Sequence, residues 1–204
     1  MSRSRIIFIV GIISLVAITI YSLQDSQGGE QYMEEIKKFR EDKDLSMTRD
    51  DFPFAGRANE FTGLKYFDPD PSFRISANLT PIEDKNVVLL TTNDGLESKY
   101  LEYAYADFSL SGVKCRLLIL EIMEQGPNRG TLFLAFADET SANETYGAGR
   151  YLDLRKVPGS SSILLDFNKA YNPYCAYSDK FSCPFPPREN ILHVAIRAGE
   201  KNYK

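Results

Sequence analysis

The chain contains no tryptophan, one histidine and three cysteines among its 204 residues. A single histidine excludes sites built from several imidazole ligands, and three cysteines are too few for a small domain held together by disulfides. The hydrophobic fraction of 43% and the charged fraction of 25% are ordinary for a globular protein and too apolar for a disordered chain. The length therefore predicts one globular domain with at most a short appendage.

The chain also lacks a cluster of basic residues. Lysine and arginine number 24 against 28 aspartate and glutamate residues, which gives a net charge of -4. Nucleic-acid binding requires phosphate-neutralising cations gathered on one face of a protein. We therefore expect no nucleic-acid partner.

A long uncharged hydrophobic run covers residues 6–23 (IIFIVGIISLVAITIYSL). A helix of this length spans roughly 27 Å, close to the hydrocarbon thickness of a bilayer. Arg3 and Arg5 precede the run and Asp25 follows it, so the positive-inside rule places the N-terminus in the cytoplasm. We expect residues 1–23 to be an uncleaved membrane anchor, with a cleaved signal peptide as the alternative.

The remaining chain is predicted to be a flexible linker, residues 24–29, followed by a single β-rich domain, residues 30–204. The domain begins with an amphipathic helix over residues 30–44, where Tyr32 and Ile36 recur at helical spacing. The expected localisation is a membrane-anchored protein with a periplasmic or cell-surface domain, or a secreted domain if the N-terminal segment is cleaved.

Hydrophobic alternation and turn signals predict about nine short strands after residue 60. Their spacing and the absence of β–α–β alternation favour a mainly-β sandwich or barrel over a nucleotide-binding α/β fold. The centre of residues 113–123 is apolar on both faces, so we expect it to be covered on both sides. Asn93-Asp94-Gly95 is a strong turn signal between two strands. The main strand predictions cover residues 74–79, 86–92, 99–108, 113–123, 131–136, 150–157, 163–167 and 191–197.

Two long segments, residues 138–153 and 166–187, interrupt the strand pattern, and such segments often carry function. Glycines in the first are predicted to form a tight bend, or to expose backbone N–H groups to an anion beside Arg150. The second, rich in tyrosine, asparagine and proline, is predicted to be a rigid, self-packed loop over the β-core. A compatible alternative is that its tyrosines line a ligand or carbohydrate cleft. The candidate ligand-binding residues are Asp138, Glu144, Tyr146, Gly147, Gly149, Arg150, Tyr151, Asp166, Asn168, Tyr171, Asn172 and Tyr177.

The cysteines and the histidine allow several interpretations. Cys175 and Cys183 are predicted either to form a disulfide or to remain unpaired structural thiols, and a metal or catalytic role is the third alternative. Cys115 is predicted to be a buried core residue, and His193 to occupy a half-exposed strand position. We expect no metal and no cofactor.

Four blocks of sequence resemble a known family. They are residues 60–79 (EFTGLKYFDPDPSFRISANL), 144–151 (ETYGAGRY), 166–187 (DFNKAYNPYCAYSDKFSCPFPP) and 198–201 (AGEK). With them the chain resembles the domain-of-unknown-function family 1684 over roughly residues 32–203. The resemblance supports the domain boundaries and implies no activity.

The leading functional hypothesis is a membrane-tethered, non-enzymatic module that binds a small polar molecule, a glycan or an envelope protein. A hydrolase-type enzyme, in which loop carboxylates act with Arg150 or His193, is the alternative, although the sequence contains no G-x-S-x-G motif. A third hypothesis is purely structural, with the loop motifs holding the barrel together.

Overall fold

The computed structural model describes residues 28–203. This part of the chain forms two compact units, and the boundary between them lies at Lys38 and Phe39. The sheet and every site considered below belong to the second unit.

Residues 28–46 are helical (α1), and two side chains on this helix, Tyr32 and Ile36, are buried. The predicted amphipathic helix is thus confirmed. Residues 28 and 29, the last two of the predicted linker, are already helical.

The expectation of an N-terminal transmembrane helix requires correction. The predicted span, residues 6–23, lies outside the described residues. Across residues 28–203, the structure holds no helix that is both long enough and apolar enough to traverse a bilayer. Within these residues, the structure gives no support to the predicted transmembrane helix, membrane tether and membrane-anchored localisation. It supports a mainly-β half-barrel with one helix in the described range.

Seven antiparallel strands form one sheet, so the mainly-β prediction is confirmed, with seven strands rather than about nine. The strands are β1 (Arg74–Pro81), β2 (Val87–Thr91), β3 (Glu97–Leu110), β4 (Val113–Ile122), β5 (Leu132–Phe136), β6 (Arg150–Leu154) and β7 (Ser162–Asp166). Their order in the sheet is β6-β5-β4-β3-β1-β7, and β2 pairs with the first half of the long strand β3.

The predicted strand over residues 191–197 is wrong. Leu192, Val194 and Ile196 are buried and alternate with more exposed residues, so the burial has the period of a strand. The backbone, however, bonds to the segment that follows β5: the Leu192 amide donates to the Ala137 carbonyl at 2.8 Å. The side chains of residues 191–197 therefore alternate in burial although their backbone does not form a β-ladder.

The centre of β4 is buried on both faces, as predicted. Leu117 and Ile119 belong to the larger core inside the half-barrel, and Leu118 and Leu120 belong to a second core on the outer face. All four side chains are at most 2% exposed. The outer core is closed by residues of the 166–187 segment, so this segment lies over the outer face of the sheet.

Asn190 replaces part of the ladder between β4 and β5. These strands share only two residue pairs. Beyond them, the Asn190 Nδ2 donates to the carbonyls of Leu118 at 2.9 Å and Ala135 at 2.8 Å, and its Oδ1 accepts from the Leu118 amide at 2.7 Å. The side chain is fully buried, so it satisfies backbone groups that water cannot reach.

Replacement of Asn190 by alanine is expected to lower the free energy of unfolding by about 3 kcal/mol, because it leaves a buried amide and two buried carbonyls on β4 and β5 without hydrogen-bond partners. Urea denaturation followed by far-UV circular dichroism measures this loss. The exposed neighbour Glu189, changed to alanine, is the control and should shift stability by about 0.5 kcal/mol or less. Equal losses in the two variants would contradict a bridging role for Asn190.

Candidate functional site

Arg150, at the start of β6, is completely buried. Its Nη2 donates to Asp138 Oδ2 at 2.7 Å and to the Ile196 carbonyl at 2.8 Å, and its Nη1 donates to the Ala198 carbonyl. Burial lowers the pKa of the Arg150 guanidinium, and the Asp138 carboxylate opposes this. The guanidinium therefore joins β6 to the C-terminal segment and is not open to an external anion.

Asp138 is equally occupied. Its Oδ1 accepts from the Thr140 amide at 2.8 Å, from the Thr140 hydroxyl at 2.6 Å and from the Ile196 amide at 3.2 Å. Since Oδ2 carries the ion pair with Arg150, the carboxylate has partners on both oxygens. The structure brings these two predicted site residues together, in an internal contact.

The glycine turn is a tight bend, which was one of the two predictions. Gly149 has φ +86°, and a Cβ there would lie 2.5 Å from the Phe136 carbonyl oxygen and 2.8 Å from Pro186 Cγ. Gly147 does not have positive φ. The turn lets the chain pass close to the end of β5, and Gly149 is buried rather than presented to solvent.

Three further predicted residues serve the protein's own backbone or surface. Asn168 is buried, and its Nδ2 donates to the Asp70 carbonyl at 2.7 Å. Asp166 is buried, and its Oδ1 accepts from the Asn168 amide at 3.2 Å. Glu144 pairs with Arg197 at 2.9 Å on the surface.

Asn172 and Tyr177 converge on a carboxylate that the sequence analysis missed. The Asn172 amide donates to Glu200 Oε2 at 2.9 Å, and the Tyr177 hydroxyl donates to the same oxygen. Lys43 Nζ lies 3.1 Å from Glu200 Oε1. Burial lowers the pKa of Lys43, and Glu200 opposes this. The only sequence signal for Glu200 was its place in the AGEK block.

A cleft of about 550 Å³ lies on the outer face of β5 and β6, beneath the 166–187 segment. Of the twelve predicted residues, only Tyr151 and Tyr171 line it. Its aromatic lining consists of Phe133, Tyr151, Tyr171, Tyr174 and Phe181, and its polar lining includes Asn128, Thr131, Asp153 and Ser182.

The aromatic lining of the cleft is held in place by polar contacts. The Tyr171 hydroxyl donates to Asp153 Oδ1 at 2.8 Å, and Lys43 Nζ lies 3.6 Å from the centre of the Tyr171 ring. Burial, with Asp153 beside it, raises the pKa of Tyr171 well above its usual value, so the phenol remains a donor. The rings of Tyr174 and Phe181 pack edge to face, with 5.2 Å between the ring centres.

Asp153 is exposed at the cleft, and within residues 28–203 its Oδ2 accepts no hydrogen bond. It lies inside the first predicted loop but is not among the twelve candidate ligand-binding residues. In the structure it is the outward-facing residue of β6, between Leu152 and Leu154, which are both buried. The alternation of β6 was the signal that could have found it.

The three cysteines are free thiols. In the structure Cys175 and Cys183 are unpaired, which is the second of the predicted alternatives, and the Cys175 amide donates to Cys183 Sγ at 3.2 Å. Cys115 is buried, as predicted. Within the described chain, no group of three or more His, Cys, Asp and Glu residues is arranged to hold a metal ion.

Fold and site together define a small mainly-β domain with an aromatic cleft on the outer face of its sheet. Residues 59–201 match the family described as "Protein of unknown function (DUF1684)", and the chain belongs to this family, as its motifs indicated. The solution NMR structure of the uncharacterized protein from gene locus rrnAC0354 of Haloarcula marismortui is similar, with 36% identity and a TM-score of 0.65. That similarity covers 86% of this chain and 96% of the other. No curated protein matches the chain.

Replacement of Arg150 by methionine is expected to lower the free energy of unfolding by about 3–5 kcal/mol, because Asp138 is left buried without its partner. Urea denaturation measures the loss. The same substitution at Arg197, whose partner Glu144 is at the surface, is the matched control and should change stability little. A stable Arg150→Met variant would show that the buried pair is dispensable.

Gly149 and Gly159 provide a second matched pair, because both have positive φ but only Gly149 has backbone within contact of a Cβ. Each alanine variant bears the same backbone strain, of about 1 kcal/mol or more. Gly149→Ala should lose roughly 2 kcal/mol beyond Gly159→Ala, because its Cβ collides with the Phe136 carbonyl. Similar melting temperatures for the two variants would contradict this close approach.

Proposed function

We propose that this domain is a non-enzymatic binding module whose aromatic cleft takes a small, uncharged, polyhydroxylated ligand such as a sugar. The observation that carries the proposal is a wall of fixed aromatic rings beside Asp153, which lines the cleft and whose Oδ2 has no hydrogen-bond partner among the described residues.

The chemistry of the cleft suits such a ligand. Sugars present apolar C–H faces, which pack on aromatic rings, and a rim of hydroxyls, which donate to a carboxylate. The hydroxyl of Ser182 and the amide of Asn128 supply neutral polar partners at the same cleft. A volume of about 550 Å³ lies within the range of small-molecule pockets.

The charge of the cleft favours a neutral ligand over an anion. Among the described residues that line it, none is lysine or arginine, and Asp153 is the carboxylate. Lys43 lies on the Tyr171 ring, but its ammonium is paired with the buried carboxylate of Glu200. An anionic ligand would therefore meet a carboxylate without a compensating cation.

The arrangement of carboxylates supports binding rather than sugar hydrolysis. Glycoside hydrolysis normally uses two carboxyl groups that flank the scissile bond. The described lining of this cleft provides one. The hydrolase alternative would use Asp138 and Arg150, but these two side chains are buried and form an ion pair with each other. His193 is exposed on the C-terminal segment.

Binding of neutral mono- and oligosaccharides to the full chain is the test. Tyrosine fluorescence reports it directly, because the chain has no tryptophan to mask the cleft tyrosines. We expect saturable binding of a neutral sugar and weaker binding of its uronic-acid counterpart. Asp153→Asn should weaken binding by roughly 10- to 100-fold, since a hydrogen bond to a charged acceptor is lost.

Asp84→Asn is the control for this experiment, because Asp84 is an exposed carboxylate between β1 and β2 and does not line the cleft. It should bind as the unmodified protein does. Equal affinity of the Asp153→Asn variant and the unmodified protein would contradict the assigned role of Asp153. Absence of binding across the whole neutral panel would overturn the proposal.

A further inference from the structure

Cys175 and Cys183 form a pair of free thiols within one loop. Cys175 belongs to a short 3-10 turn, Tyr174–Ala176, and its amide donates to Cys183 Sγ at 3.2 Å. Across the pair, the Tyr146 hydroxyl lies 3.9 Å from Cys175 Sγ. The side chains of two separate loops therefore meet around one sulfur.

The two thiols differ in exposure. Cys183 is 6% exposed and lies on the floor of the aromatic cleft, packed with the outer core. Cys175 is half-buried and lines an open hollow of about 490 Å³, whose charged lining residues are Arg57, Asp179 and Lys180. A small oxidant reaches Cys175 from solvent and does not have to enter the core.

The surroundings favour the thiolate of Cys175. The hydrogen bond with the Cys183 thiol lowers the pKa of Cys175 to about 7, although partial burial opposes it. The same hydrogen bond and burial raise the pKa of Cys183, and burial raises the pKa of Tyr146 to about 12, so both neighbours keep their protons. Asp179 is the acidic group that acts against the thiolate.

We propose that Cys175 and Cys183 are a peroxide-reactive thiol pair, in which Cys175 is the attacked and Cys183 the resolving cysteine. This inference does not depend on the ligand proposed for the cleft.

The chemistry balances with a hydroperoxide as the oxidant. The Cys175 thiolate attacks the terminal oxygen of the hydroperoxide, so that an S–O bond forms as the O–O bond breaks, and the leaving alkoxide takes a proton from water to become an alcohol. The Cys183 sulfur then attacks the Cys175 sulfenic acid. The S–S bond forms as the S–O bond breaks, and the hydroxide leaves with the Cys183 proton as water. Two thiols lose two electrons, and the peroxide gains them.

The test uses the full, reduced chain and hydrogen peroxide as the probe. After treatment with one equivalent and alkylation under denaturing conditions, peptide mass spectrometry should find a Cys175–Cys183 crosslink and an alkylated Cys115. Without peroxide, iodoacetamide should label Cys175 at least tenfold faster than Cys115, which is buried and whose pKa burial raises. The labelling rate should rise with pH through a midpoint near 7.

Three variants separate the roles. In Cys183→Ser, dimedone should trap a sulfenic acid on Cys175, because the resolving sulfur is absent. In Cys175→Ser, peroxide consumption should fall at least tenfold, and in Cys115→Ser it should be unchanged. Equal labelling rates for Cys175 and Cys115 in the unmodified chain would overturn the proposal, and so would oxidation of Cys175 without a crosslink to Cys183.

Discussion

The ion pair between Arg150 and Asp138 is the contact on which the rest of the structure depends. It is sealed inside the half-barrel, and its guanidinium also takes the carbonyls of Ile196 and Ala198 as acceptors. Such a pair adds little net stability, because desolvation of both charges offsets their attraction. It does impose a geometry, since the Ile196 and Ala198 carbonyls must lie where the two Nη atoms of the guanidinium can donate to them.

The placement of the C-terminal segment in turn determines the position of a ring that lines the cleft. Glu200 follows directly, and Gly199 has positive φ with the Ala170 carbonyl 2.5 Å from where a Cβ would stand. The Glu200 amide donates to the same Ala170 carbonyl at 2.9 Å. The Glu200 carboxylate accepts a hydrogen bond from the Asn172 amide and pairs with Lys43, and the Lys43 ammonium lies against the Tyr171 ring. A contact in the inner core thus fixes a ring on the outer face.

Most of the fold could be predicted from the sequence, because the hydrophobic pattern of each strand and the turn residues beside it are local signals. Alternation predicted seven strands close to their observed bounds, and Asn93-Asp94-Gly95 forms the predicted turn between β2 and β3, with the Gly95 amide donating to Thr92 at 3.0 Å. Residues 191–197 show where this reasoning stops. Their alternation reflects burial against the half-barrel, and burial alone does not distinguish a ladder from an irregular segment.

The sequence located the functional loops but not the roles of their residues. Polar side chains such as Arg150, Asn168 and Asn172 suggested a ligand, yet irregular backbone leaves amides and carbonyls without ladder partners, and buried polar side chains fill that need. The backbone carbonyls that accept from these three side chains are 29 to 98 residues away in the chain, a separation that local patterns do not encode. Asp153, in contrast, faces solvent because the β6 period places it there.

The loop over the outer face is anchored at points that flank both proposed activities. The Cys183 amide donates to Asn93 Oδ1 at 2.7 Å, and the Tyr151 hydroxyl donates to the Pro184 carbonyl at 2.6 Å. A cleft fixed in this way loses little conformational entropy when a ligand enters, which favours affinity. The same anchors hold Cys183 next to Cys175, whose amide donates to the Cys183 sulfur, before any oxidation. A preorganised loop would favour the proposed recognition and the proposed thiol chemistry for one physical reason.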